Sequence, residues 1–560
     1  MTDFPQPDLD AIADPELRAL VAWCLNQVQE LRAANQALQA QIQRLQDEIL
    51  RLKGQQPSRP KTPKDGSGGG GSAPAPPHSS EAARKPDRPS GRGKGKRGLR
   101  RTLAVDAEQR LVVSAGLPAD AIFKGYVPTV VQELVCVRRT VRYLRQKWYS
   151  PTTGRTYLAP LPPGCRSGYG PALQALLLEL NYGANVTVPQ LLDWLTRRGI
   201  VMAKGTLMGL LTRKLAPFQA EAAEVLAAGL RSTPWQQLDV TATPVGGEWY
   251  ACHVLGNPFY RCFRTVPSQS RLALLTTLQG GRPLRHRLDA AVFLRLTAAG
   301  VGRRVQERVR RLLGDGEWDT EILTARLAEC CPRLGRETRN LILEATALAA
   351  YRADPEWPVI FCLLGDDAAQ FRELTRELAL CWVHDARHYQ KLTPAFGCFR
   401  RELADFQARY WAFYRQLGAY RTAPSAAAAG ALTAEFDRLF QAGQHHYGDL
   451  ERCITRTREN KTKLLLVLKH PELPLHNNDS ELAARRRVIK RRVSHGPQSL
   501  AGAQAWDTFH TLAATTAKLG ISFADYLVHR LSGSGSVPWL PQLIAERAAA
   551  QNLGQSWGTT

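Results

Sequence analysis

QQLDVTATPV (236–245), GEWYACHVLG (247–256) and PFYRCFRTV (258–266) follow one another with tight glycine- or proline-bearing turns between them. Each run is short and rich in aromatic and β-branched residues, so the stretch reads as three consecutive strands. Asp239 lies inside the first, flanked by Leu238 and Val240. An ionised carboxylate within a strand is costly unless it is paired or metal-bound. Asp239 is therefore a candidate ligand, with a plain edge aspartate as the alternative.

Two more acids stand at the ends of elements. PVIFCLLGDD (358–367) carries a buried-strand pattern over 359–364 that stops at Gly365. Asp366 and Asp367 then read as caps of a helix, AAQFRELTRELA (368–379), with a further strand in LALCWVH (378–384). A strand closed by a carboxylate and followed by a helix is an α/β active-site edge; it is equally an ordinary N-cap. Glu481 opens the helix SELAARRRVIKRR (480–492), with Ser480 or Asp479 as its cap. Six of the eight residues 485–492 are basic: Arg485, Arg486, Arg487, Lys490, Arg491 and Arg492. They repel one another unless solvated or matched by phosphate, which suggests a DNA backbone along the helix. His476, Asn477 and Asn478 precede it as a polar turn that can orient the acid or touch substrate.

This set of acids has a definite chemical use. Two Mg²⁺ or Mn²⁺ ions roughly 4 Å apart activate the attacking oxygen and stabilise the leaving one in phosphodiester transfer. Hard cations of this kind want carboxylate oxygens.

Composition points the same way. The chain has 560 residues, 44% hydrophobic, enough for more than one core, and a formal charge of +24. Such a field draws polyanions inward and favours nucleic acid as partner. Eleven cysteines are scattered without a Cys-x-x-Cys pair, so neither a disulfide framework nor a zinc knuckle is expected and a reduced, cytoplasmic compartment fits best. No apolar run reaches membrane-spanning length and no leader pattern opens the chain, so no membrane partner is expected.

At the N-terminal end, Leu31, Leu38, Leu45 and Leu52 recur every seven residues, and Val28, Asn35, Ile42 and Ile49 hold the other seam. β-branched residues at a and leucine at d favour a parallel two-stranded coiled coil, and a lone asparagine at a fixes the register. A homodimer through residues 28–52 is the expectation; an amphipathic helix docked on its own domain is the alternative. Residues 55–101 are rich in Pro, Gly and Ser and end in a basic tract in which 84–101 hold nine Lys or Arg, Lys94, Lys96 and Arg97 among them. That composition stays unfolded and can follow phosphates. Residues 102–160 alternate as a small strand-rich module, and VTVPQLLDWLTRRGIVMAKGTLMGLL (186–211) has the rhythm of a helix-turn-helix, with Thr206 as a possible cap, or of ordinary helical packing.

Beyond these patterns the chain resembles the transposases of IS66-type insertion sequences. The pieces that carry the resemblance are DVTATPV (239–245), GDDAAQF (365–371), CWVHDARHY (381–389), HNNDSELAARR (476–486) and the stretch 491–527 ending in TAKLGISFADYL. The resemblance, spanning about 20–530, implies a DDE enzyme with an α/β, RNase H-like mixed-sheet core and helical insertions. It sets the family's first Asp on Asp239, its second on Asp366 and its Glu on Glu481. Phe371 takes the aromatic position five residues after Asp366, although Asp367 stands where the family has Gly and remains the alternative catalytic acid. The Cys-Trp-x-His element falls on Cys381, Trp382 and His384, with Trp382 expected to pack and His384 to position the scissile end or a metal-binding neighbour. Only Cys136 and Cys165 lie between 102 and 165, so the zinc finger of many relatives is not expected.

The organisation expected is a coiled coil at 20–54, a linker at 55–101, a DNA-binding or accessory region at 102–230, a catalytic domain at 231–530 and a tail at 531–560. Helical blocks near 281–355 and 400–470 separate the acids. The function implied is cleavage at transposon ends and strand transfer into target double-stranded DNA, in a prokaryotic cytoplasm and nucleoid-associated when bound, with accessory transposition proteins as further partners. A metal-dependent nuclease or resolvase shares the acids without joining, and a noncatalytic DNA-binding protein needs none of them.

Overall fold

The computed structural model describes residues 8–52, 105–113, 116–118, 121–133, 136–165, 168–213, 215–314, 316–533, 535 and 537–557. The linker expected at 55–101, with Lys94, Lys96 and Arg97, lies outside them. Among the described residues no helix is long and apolar enough to cross a membrane.

Five strands make the central sheet: β1 (Trp235–Ala242), β2 (Ala251–Asn257), β3 (Tyr260–Val266), β4 (Cys362–Gly365) and β5 (Glu377–Leu380). Their order is β3-β2-β1-β4-β5. The first three form an antiparallel meander, and β4 and β5 add in parallel on the other side of β1. This mixed sheet flanked by helices is consistent with an RNase H-like core. Every residue of β2 is buried, as a central strand covered on both faces requires.

The helices that place the site are α1 (Pro15–Leu52), α2 (Ala216–Arg231), α3 (Arg336–Ala353), α4 (Trp382–Gln390), α5 (Gly397–Tyr420), α6 (Gly448–Glu459), α7 (Asn478–Ser494) and α8 (Leu500–Lys518). α8 lies along the edge strand β3. The backbone N–H groups of Arg261, Phe263 and Thr265 donate to Thr515, Thr511 and Asp507. Alternate strand residues advance about 6.7 Å and helix residues four apart about 6 Å, so the two ladders match. The edge is closed by side chains where another strand would otherwise pair. One large core joins α2, α8 and the helices around 171–212 to the sheet; a second, dominated by aromatics of α4 and α5, sits under the helical stretch after β5.

Between β3 and β4 stands a block of helices, Ala290–Ala298, Arg303–Leu313, Thr320–Cys330 and α3, with its own small core. It grips the loop after β4: Arg271, just before it, donates to the Ala369 carbonyl at 2.9 Å, Arg295 pairs with Glu373 at 3.0 Å, and Arg352 donates to the Glu373 carbonyl at 3.1 Å.

Three local expectations need correction. The helix expected over 368–379 is a single short turn, Ala369–Phe371, followed by β5. Its composition is helical, but Phe371 and Leu374 are pulled into the core and Glu373 adopts φ 62°, which ends any helix. Thr206 does not cap its helix, Lys204–Thr212, which starts after Ala203; Leu207 and Leu211 of that helix pack inward. Among the described residues of 102–160 only the hairpin Lys147–Ser150 with Arg155–Leu158 forms strands, and Val127, Val137 and Leu144 are exposed instead of packed on a second layer. The N-terminal helix α1 makes its own contacts with the rest of the chain. Its first half docks on the core through Ala22, through Asn26 bonded to the His446 carbonyl and the Gly448 N–H, and through Gln29 bonded to Thr393 and Ala395.

Candidate active site

β1 and β4 run parallel with Gln237 opposite Leu364. Asp239 stands two residues past that pair on β1 and Asp366 follows the last residue of β4, so both acids lie toward the C-terminal ends of neighbouring parallel strands. Gly365 lets the chain close up there, because a Cβ would stand 3.1 Å from the Phe371 ring. Asp239 Oδ1 accepts from the Val240 N–H at 2.9 Å, and Asp366 Oδ1 from the Ala368 N–H at 3.2 Å.

The third acid arrives on α7. Asn477, at its start, is buried; its side chain donates to the Leu238 carbonyl at 2.8 Å and its N–H to Cys381 Sγ at 3.2 Å. The helix is thereby tied to the residue before Asp239. Arg261 of β3, fully buried, donates to Ser480 and Asp479, and to Gln237 of β1 at 3.3 Å. Ala483 and Ala484 are small enough to seat the helix on Cys252, Val254 and Phe263. Glu481 in its first turn then shares a cleft of about 460 Å³ with Asp239, His384 and Arg387. His476 offers Nδ1 to the Asn478 N–H at 3.4 Å and its carbonyl to Gln237, so the polar turn holds the helix start to β1.

α4 supplies the opposite wall. Trp382 is buried against Tyr410, Phe413 and Phe436 and donates to the Leu464 carbonyl at 3.0 Å. His384 and Arg387, three apart on one helix face, turn to the acids. Arg387 donates to Glu481 Oε2 at 2.5 Å, and His384 Nε2 lies 3.5 Å from Oε1. A second cleft of about 330 Å³ contains Asp366 and Asp367 and shares His384 and Arg387 with the first. Asp366 and Asp367 have different surroundings. Asp367 is ringed by cations, with Arg372 at 3.1 Å and Arg456 and Lys463 each at 3.7 Å.

The electrostatics at Asp239 are set first by burial and then by the neighbouring charges. Burial pushes the Asp239 carboxyl up to about 6; the Val240 N–H opposes this, and the charges of Glu481 and Asp366 add to it. Burial also holds His384 below the usual imidazole range. Glu481 Oε1 is buried and accepts no hydrogen bond among the described residues. A divalent cation between these oxygens would satisfy that atom and relieve the repulsion, so the donor set fits one. Cys381, His384 and Glu481 also bring ligand atoms within 4.8 Å of one another. The Cys381 thiol is a poor member of that group, since burial pushes it up to about 11. The oxygen set suits a hard cation better than the Cys-His pair suits a soft one.

The basic run on α7 divides by helix face. Arg485 and Arg492 line the cleft beside Glu481. Arg486 is exposed away from it, and Arg491 donates to the Ala242 carbonyl of β1. Arg487 and Lys490, expected to meet DNA, are instead core residues at 1% and 2% exposure. Arg487 pairs with Asp507 at 2.9 Å and donates to Thr265 at 2.7 Å. Lys490 donates to Asn181 beneath Tyr182 and Trp506, where burial brings its ammonium down to about 7. Side chains held this way cannot reach a phosphate.

Two residues of the site escaped sequence reading. Arg387 had a usable signal, its spacing of three from His384 on a helix. Arg261 had none, because its partners Asp479 and Ser480 are more than two hundred positions away.

Comparison with known proteins gives two findings. Residues 362–505 match the model of the transposase IS66 family. The chain is also 32% identical over 335 residues to the uncharacterized protein y4jO of Sinorhizobium fredii, an alignment covering 58% of this chain and 100% of that protein.

Proposed function

We propose, for a chain that belongs to one family with that rhizobial protein and carries an IS66-type transposase domain over 362–505, that it cleaves DNA at transposon ends and joins them to target DNA. The observation that carries this reading is the cleft that Asp239 of β1 shares with Glu481 of α7, beside the parallel strand β4 that Asp366 follows.

Asp239, Asp366 and Glu481 would hold Mg²⁺ or Mn²⁺, two ions in the usual form of this chemistry. When bound, the ions lower the pKa of an attacking hydroxyl and offset charge on the leaving oxygen. The chain's own residues do the rest. Arg387 and His384 hold Glu481 in place, and the buried Arg261 fixes the helix that presents it. Arg485 and Arg492 would meet the backbone and set it in line. In the first step water attacks the phosphorus, and the P–O bond to the 3′ oxygen breaks, leaving a 3′-OH and a 5′-phosphate. In the second step that 3′-OH attacks a target phosphodiester, forming one bond and breaking one, so no outside energy is needed.

Mg²⁺-dependent cleavage and joining of labelled transposon-end DNA by wild type and Asp366→Ala tests the reading. Cleavage without any joined product would point to a nuclease or resolvase. Equal activity of the variant would leave a noncatalytic DNA-binding role.

The two faces of α7 should respond differently to mutation. Replacing Arg485 and Arg492 together with Ala should weaken binding to all DNA sequences alike, and reduce the slope of log K against log salt by roughly 0.9 for each phosphate no longer neutralised. Lys490→Met should leave both affinity and slope where they were. Fluorescence anisotropy across a salt series measures each.

A further inference from the structure

The second cleft brings Arg387, Lys391 and Arg456 together with Asp366, Asp367 and Asp385. Asp367 at its floor is a single carboxylate facing Arg372, Arg456 and Lys463. Of the other two acids there, Asp366 belongs to the proposed metal-binding set, and Asp385 is buried and held by Tyr410 at 3.0 Å and Thr457 at 2.9 Å. Lys391 stands exposed at the rim, at the end of the α4 face that carries His384, Arg387 and His388. Arg456 of α6 is braced from behind: its Nη1 meets His388 Nδ1 at 3.0 Å, so His388 accepts and adds no charge of its own. The Arg456 side chain is 43% exposed in spite of those contacts, with Nη2 3.7 Å from Asp367. A guanidinium that keeps open surface beside such contacts can still take a phosphate.

Position matters as much as charge. His384 and Arg387 form a wall common to both clefts, so the two meet at the acids. Arg485 and Arg492 lie on one side of that meeting point, and Lys391 and Arg456 on the other. A DNA backbone running past the acids carries a charge at every nucleotide and needs cations on both sides.

We infer that the second cleft is a phosphate subsite, in which Lys391 and Arg456 hold the DNA backbone on the side of the acids opposite to Arg485 and Arg492. The inference rests on the transposase reading and deepens it. It assigns the cleft a contact to the backbone and none to the bases, so any DNA sequence should engage it.

The test uses the full chain and a fluorescein-labelled duplex of arbitrary sequence, titrated over a salt series. Lys391→Ala with Arg456→Ala should lower the slope of log K against log salt by about 1.8, two phosphates at roughly 0.9 each. Lys391→Ala alone should lower it by about 0.9. The single variant alters only an exposed side chain, so it decides the matter if the double variant melts early through the loss of Arg456 beside Asp367. DNA bound with an unchanged slope by Lys391→Ala overturns the subsite and leaves the transposase reading standing. A wild-type chain that binds no DNA removes the transposase reading, and the subsite goes with it.

Discussion

Asp366→Ala is expected to lose Mg²⁺-dependent cleavage by on the order of 10³-fold, the scale set by removing one preorganised electrostatic partner of a reacting centre. Its melting temperature should stay where it was. Asp367→Ala should do the reverse. Asp367 neutralises Arg372, Arg456 and Lys463, and without it three cations face one another in a partly closed cleft. A loss near 1 kcal/mol would lower the melting temperature by roughly 1–2 °C while cleavage persists. Asp239→Ala completes the contrast: its carboxyl, raised to about 6, is crowded by burial and by two other acids, so removing it should abolish cleavage and leave the fold as stable or more so. Cleavage rates and thermal melts of the three variants, taken side by side, check the assignment. An active Asp366→Ala beside a dead Asp367→Ala would move the second acid one residue along the chain.

The elements that carry these acids were legible because each announces itself locally. Three strand-like runs separated by turns needed only alternation and β-branched composition, and they are β1, β2 and β3. The apolar run before Asp366 needed only its length. What failed were features decided by the far side of the fold. The segment 368–379 has good helical composition, yet Phe371 and Leu374 are claimed by the core, and the chain must return to lay β5 beside β4. The basic run of α7 reads as one charged surface, but its inner positions, Ala483, Ala484, Arg487 and Lys490, face the sheet and the helical core. Their partners, Asp507 and Asn181, belong to other elements, so nothing nearby in sequence marked two of six cations as buried. Charge density was visible along the chain and helix phase was not.

The same logic governs the N-terminal helix, whose first half meets the chain itself through residues outside the heptad seam, while the seam is left for a partner. Residues up to Arg32 engage the core: Ala22 and Gln29 are buried, Glu30 pairs with Arg452 at 3.4 Å, and Arg32 lies over the Phe396 ring. Past that point the helix projects for about twenty residues, roughly 30 Å. Its seam is exposed there, with Leu38 at 60%, Ile42 at 54% and Leu45 at 52%. An apolar heptad stripe of this length left in water is the surface that a second copy of the chain would cover, with Asn35 meeting its mate. Replacing Leu38 and Leu45 with Lys should therefore turn a dimer into a monomer without touching the docked half or the active site. Deleting the whole helix is the poorer experiment, because it also strips Ala22 and Gln29 from the core. Sedimentation at micromolar concentration should show the mass of the double variant fall by half, with the melting temperature of the catalytic region unchanged. Asn35→Ile should give a tighter assembly with a less certain number of strands. A wild type that sediments as a monomer, or a double variant that remains a dimer, would place self-association elsewhere and leave the stripe to a different helix.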